Sequence, residues 1–377
     1  DPTGAGDAFA GAYLGAMLKE DPNPVAEGLH IASVVIQGPG AAPLLDQLPH
    51  SADLQRDANL SDARKAGIDH ERIQAVGSSL RVAAKRSSLS FCGSPFPELG
   101  DPLALEVLAL ATAHQYGFWT GTDHGYGGPM WATIDGVRRK GSDFVWHAFT
   151  KAATADPTVL DANRLAAEPL LFDEICVDDD GACPIPDVGS HRALQQAYGL
   201  AIGRCGGVRS ILDRANTSGD PLAALLEMLS TIPGYGEDPL AKKANLLGLI
   251  LTNRPEHFLH LDDPGSIAPI ADYHNIRTLL RTGCVRIVDP DLRRTLEERS
   301  WTDAVGEASV RSAAYGAIVA LCDASGLNVG EVDGFLFTLG RSLCLETEEP
   351  KCEECPVVTS CGRYTNLFQP IFRTTAY

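Results

Sequence analysis

The sequence predicts a mainly helical protein built from two or three units. Apolar residues recur three and four apart over 70–85 (Ile73, Val76, Leu80, Ala83) and again over 222–229. Over 102–116 they are denser still (Leu103, Leu105, Val107, Leu108, Leu110), up to a stop at Gly117. At 377 residues the chain exceeds one typical domain. Its mean hydropathy of −0.04 suits a globular chain, and the absence of an apolar run of about 18 residues predicts no membrane span.

A net charge of −18 argues against a generic nucleic-acid surface, because non-specific affinity for DNA comes from Lys and Arg neutralising phosphates. Residues 1–50 carry six acids and one base, so the remainder still stands at −13. Local basic groups (Arg138, Arg139, Lys140; Arg293, Arg294) survive within it. A small substrate therefore fits better than a long duplex. Ten cysteines without a signal-like segment point to a reducing, cytoplasmic setting and to metal binding or inert burial rather than disulfides. The start at Asp1-Pro2-Thr3-Gly4, without methionine, reads as the interior of a longer protein.

Asp1 to Asp7 lead into a helical run, Ala8 to Leu18. Small residues at Gly4, Ala5 and Gly6 let the amides of a helix start approach an anion, and Asp7 is set to take a proton from a facing hydroxyl. The same residues also suit an ordinary Gly-rich turn with an acidic first turn. With the helix Pro24–Val35 and the turn Gly38-Pro39-Gly40, this segment resembles the C-terminal signature of ribokinase-like (PfkB) carbohydrate and nucleoside kinases. The resemblance implies an anion hole at Gly4, Ala5 and Gly6 and a general base at Asp7, on a C-terminal fragment of an α/β domain spanning 1–50. The sheet that binds the sugar would lie upstream of residue 1, so no kinase activity is expected of this chain alone. The polar stretch 51–62 reads as a linker, and 63–377 as the helical unit.

Within that unit, Phe118 to Trp131 interleaves aromatics with glycines, which suits a flat pocket wall and makes Phe118, Trp119 and Trp131 candidates to contact a substrate. Core packing at a loop is the alternative. Phe144, Trp146 and Phe149, at near-helical spacing, read as core. The acidic stretch 177–186 lacks the downstream Glu of a calcium loop.

The organising stretch runs from Leu229 to Cys284. Ile232-Pro233-Gly234-Tyr235-Gly236 forms a turn whose amides could hold a phosphate, ahead of a helix from Asp238 to Leu251. Asp272 precedes the periodic Ile276, Leu279 and Leu280, and is either an N-cap or an acid at a helix mouth. Lys242-Lys243-Ala244-Asn245 and Ala271-Asp272-Tyr273-His274 follow the hairpin in an order that resembles the helix-hairpin-helix (HhH-GPD) N-glycosylases of the endonuclease III group. The resemblance implies a two-lobed fold with the site between lobes and a catalytic aspartate at Asp272. The superfamily's Schiff-base lysine would fall at Asp238 counted from the hairpin, or at Lys242 counted from Ala244-Asn245.

Four cysteines, Cys344-x7-Cys352-x2-Cys355-x5-Cys361, crowd eighteen residues, enough to wrap one metal centre, with zinc as the alternative to iron–sulfur. The loop resembles the 4Fe–4S loop of the endonuclease III group, whose first gap is one residue shorter. The segment 60–220, taken with Ala271-Asp272-Tyr273, resembles the queuosine-nucleotide salvage hydrolases. That likeness implies hydrolysis of a free modified nucleoside 5′-monophosphate. Asp272 would stabilise the sugar cation, and Tyr273, Phe118, Trp119 and Trp131 would hold the base. The amides of Gly234 and Gly236, or Lys242 and Lys243, would hold the phosphate. An iron–sulfur DNA glycosylase and a non-catalytic nucleotide-binding module are the alternatives.

Overall fold

The computed structural model describes residues 65–83, 90–123, 125–368 and 374–376. The kinase-like residues Gly4, Ala5, Gly6 and Asp7, and the stretch 51–62, lie outside the described residues. By its contacts the chain divides between Ala63 and Arg64, and the described residues belong to the second unit.

Among the described residues the protein is mainly helical, with thirteen α-helices and three two-stranded antiparallel sheets. A short strand β1 (Ala66–Ile68) precedes α1 (His70–Ala83). Helix α2 (Ala104–Ala113) has nine of its ten residues buried, as expected of a helix apolar on every side. Two hairpins follow, β2 (Trp119–Gly121) with β3 (Tyr126–Pro129), and β4 (Trp131–Ile134) with β5 (Val137–Lys140). The aromatic–glycine stretch is thus largely strand rather than loop.

The chain then runs through α3 (Gly141–Ala155), α4 (Ala162–Ala167), α5 (Leu171–Ile175), α6 (Val188–Cys205), α7 (Val208–Asn216) and α8 (Pro221–Leu229). Beyond the Pro233–Gly236 turn comes α9 (Lys242–Asn253), then α10 (Tyr273–Thr282) and strand β6 (Val285–Ile287). Helices α11 (Pro290–Glu298), α12 (Ala304–Ser325) and α13 (Val329–Ser342) complete it. No single described helix is long and apolar enough to cross a membrane.

Two hydrophobic cores result. One gathers apolar side chains from Phe91 to Ile270, and the other joins Ala66, Ile73, Val76 and Leu80 to those from Ile276 onward. Pairing of β1 with β6, Ala66 opposite Ile287, returns the start of the unit to the second core. The chain crosses between cores over residues 270–276. Ile270 anchors the crossing in the first core and Ile276 in the second, which fixes Asp272 and Tyr273 at the junction.

Helix α9 begins four residues later than its sequence predicts. The Asp238 carboxylate accepts the N–H groups of Leu240 (3.1 Å) and Lys242 (2.8 Å), and it pairs with Arg311 of α12 at 2.8 and 2.9 Å. Burial raises this carboxyl's pKa, but the Arg311 guanidinium outweighs it and leaves it below the usual range. Asp238 is therefore a cap and a tie between the two cores.

Candidate active site

Asp272 lines a cleft of about 330 Å³ formed where the two cores meet. One wall is aromatic: Phe118, Trp119, Trp146 and Tyr273, with Phe337 from α13. Trp119 stands edge-on to Tyr273 at 6.1 Å and to Phe368 at 5.6 Å. Phe118 lies against Gly141, where an added Cβ would come within 2.5 Å of its own Cβ, so only glycine lets α3 approach this wall. The strap 90–96 covers one side, and buried Arg254 holds it by donating to the carbonyls of Phe91 and Pro97, the latter at 3.0 Å.

Asp272 is a helix cap placed in the cleft. It is the N-cap of α10, where the Asn275 N–H donates to its Oδ1 at 2.8 Å, and its side chain also faces the cleft. Burial raises its pKa, opposed first by the charge of Lys242. Lys242 is itself buried and lowered by desolvation, with Asp272 the leading group that pulls it back up. Each charge bears on the other inside one cleft, while the Lys242 ammonium donates to the Gln115 carbonyl at 3.3 Å.

Of the two lysine positions open to sequence, the structure brings Lys242 into the cleft and puts Asp238 in the Arg311 pair. Replacing Lys242 with Met removes the charge that favours ionised Asp272. The acid limb of any Asp272-dependent activity is then expected to move to higher pH, seen in a kcat/KM–pH profile. An unmoved limb would mean that the two groups do not interact.

Other candidates fall elsewhere. Lys243 donates to the Ala113 carbonyl at 3.0 Å and lies 4.9 Å from the Tyr116 ring centre, stabilising the C-terminal end of α2 rather than lining the cleft. Gly234 and Gly236 are outside the cleft lining, and the Gly234 N–H is occupied by the Glu237 carboxylate at 2.8 and 3.0 Å. An anion cannot share that amide with a carboxylate, so the hairpin does not provide the expected phosphate cradle. Its glycines are required by the turn instead: Gly234 has φ +94°, and a Cβ on Gly236 would sit 2.1 Å from the Ser230 carbonyl oxygen. Trp131 is 45 % exposed on β4, under the Arg138 guanidinium at 4.6 Å, and does not reach the cleft.

Conversely, Trp146 lines the cleft, although its helical spacing reads as core. Asp143, Asp333, Phe337 and Arg341 also line it and were not singled out from sequence. Asp333 had a visible signal: a carboxylate inside the apolar stripe Val332, Leu336, Leu339 of α13.

The four cysteines surround a second cavity of about 30 Å³, between the ends of α10 and α13 and the loop 344–361. Burial pushes up the Cys355 thiol, and the neighbouring Cys361, Cys344 and Cys352 sulfurs push it further. Among the described residues no group of three His, Cys, Asp or Glu side chains is arranged to hold a metal ion. Arg281 Nη1 lies 3.7 Å from Cys344 Sγ, and the Arg363 N–H donates to Cys361 Sγ at 3.3 Å. Buried Glu346, two residues after Cys344, pairs with Lys140 and with Arg277 Nη2 (3.0 Å), while Arg277 Nε donates to the Cys344 carbonyl at 3.0 Å. Because Arg277 belongs to α10, the loop is tied to the helix that Asp272 caps.

No protein-family model matches the chain, and no curated protein matches its sequence.

Proposed function

We propose that the protein is an N-glycosidase acting on a modified nucleoside 5′-monophosphate of the queuosine type, on a helix-hairpin-helix glycosylase-like scaffold. The observation that carries this reading is a carboxylate at a helix mouth, under the charge of buried Lys242, facing an aromatic-walled cleft of nucleotide size. Breaking a base–sugar bond develops positive charge at the anomeric carbon. Asp272 stabilises that cation and orients the water that adds to it. Trp119, Phe118, Tyr273 and Trp146 stack on the base. The net charge of −18 favours a free nucleotide over a DNA strand.

The cysteine loop is assigned a 4Fe–4S cluster. The Cys-x7-Cys-x2-Cys-x5-Cys spacing and the four thiols that line one cavity support this proposal, with zinc as the alternative. The Arg281 and Arg363 groups near the sulfurs are of the kind that tune such clusters. The same loop, with Lys242 in the cleft, supports a second reading as an iron–sulfur DNA glycosylase. Incubation with queuosine 5′-monophosphate and with lesion-bearing duplexes, followed by mass spectrometry of free base, separates the two. Release from the nucleotide is expected; release from duplex alone would select the DNA reading.

A further inference from the structure

Three carboxylates line the cleft; Asp143 is paired with Arg341, and of the other two the proposed chemistry uses one. Asp333 projects from α13 into the same space as Asp272 and is only 8 % exposed. A single residue bridges them. Asn275 gives its backbone N–H to Asp272 Oδ1 and its side-chain Nδ2 to Asp333 Oδ1, and Nδ2 also donates to the Ile270 carbonyl at 2.8 Å, which fixes the orientation of the amide.

The charged and titratable groups facing Asp333 come from three packed elements: Asp272 at the mouth of α10, Lys242 on α9 and Cys322 on α12. Lys242 and the Asn275 hydrogen bond favour ionised Asp333, while burial and the Asp272 charge oppose it and win, holding this carboxyl well above the usual range. Asp272 has a helix-start N–H and the charges of Lys242 and Arg277 to hold it ionised, whereas Asp333, within α13, has the Asn275 amide and the charge of Lys242, so the proton of the pair rests on Asp333. Environments that push two neighbouring acids apart separate a proton donor from a charge stabiliser.

We propose that Asp333 is the general acid of this site, delivering its proton to the departing base while Asp272 remains ionised. This rests on the N-glycosidase reading. As the C1′–N bond breaks, its electron pair leaves with the base, and the Asp333 proton neutralises the released nitrogen. Water then adds to C1′, and its proton returns through the Asp272 carboxylate to Asp333. The balance is nucleotide plus water giving free base plus sugar phosphate, with both carboxyls restored.

The test compares two leaving groups in the 377-residue chain. Asp333→Asn is expected to lose about 100-fold or more in kcat on queuosine 5′-monophosphate, the usual size of a general-acid contribution. It should keep most of its rate on 4-nitrophenyl riboside 5′-phosphate, whose nitrophenolate leaves without a proton. The wild-type rate on the nucleotide should fall as pH rises through the Asp333 pKa, and the variant should lack that limb.

Stability gives an independent sign. With its folded pKa raised, Asp333 costs increasing stability as pH climbs from the unfolded toward the folded value, so the variant should melt no lower than wild type at pH 7. Infrared spectra at pH 7 read the proton without turnover: wild type should show a buried carboxylic-acid C=O band that Asp333→Asn lacks. Equal losses on both substrates, or no such band in wild type, overturn the acid role and leave Asp272 untouched. A wild-type protein that shows the band but cleaves neither substrate overturns the hydrolase reading instead, and with it the acid role.

Discussion

Asp272→Asn is expected to abolish base release, a fall on the order of 10³-fold in kcat, comparable to removing a principal electrostatic group from other active sites. The fold and any metal bound at the cysteine loop should be retained. The separation is sharp because the residue does two jobs through different properties. As the N-cap of α10 it offers an oxygen to the Asn275 N–H, and asparagine caps about as well as aspartate. In the proposed hydrolysis it offers the sugar cation a negative charge, which asparagine does not have. Loss of Lys242's partner should also lower the lysine's pKa, because Asp272 leads the groups that now raise it. Turnover that persisted in Asp272→Asn would leave the residue as a cap alone, and the cleft as a binding site without chemistry.

The sequence made legible what is local. The order of hairpin, lysine, aspartate and cysteines lies along one chain, and the helices that carry it follow from apolar spacing. What it left out is set by tertiary packing. Trp146 has the spacing of a core residue because one face of α3 does pack the core, and only the meeting of two cores opens the space its ring borders. Asp333 and Arg341 reach the cleft from α13, roughly sixty residues downstream of Asp272, by a fold that no local period encodes.

The hairpin shows the reverse error. Pro233-Gly234-Tyr235-Gly236 has the composition of an anion loop, yet a carboxylate three residues on takes its amide, a choice invisible until the turn closes. Lys243 fails in the same way. Next to Lys242 in sequence, it is turned by the helix toward the end of α2.

Glu346→Gln should cost about 3–5 kcal/mol, the scale for breaking a buried ion pair from one side. Lys140 and Arg277 both pair with this carboxylate, and all three side chains are buried, so the amide leaves two cations facing each other without water. The damage should not stay in the cysteine loop. Arg277 sits one turn along the helix from Tyr273 and also holds the carbonyls of Gly340 (2.6 Å) and Cys344, so a shift of its guanidinium moves α13 and the loop together. Three readouts should therefore fall in concert: melting temperature, retention of the proposed cluster through anaerobic purification, and the proposed base release.

Adding Lys140→Met removes one of the stranded cations. The double variant should recover part of the stability lost by Glu346→Gln, giving a coupling term in the mutant cycle. If the double variant were instead less stable by the sum of the two single losses, Lys140 and Glu346 would be energetically independent. The loop would then be held by the Arg277 and Arg281 hydrogen bonds to its carbonyls rather than by charge.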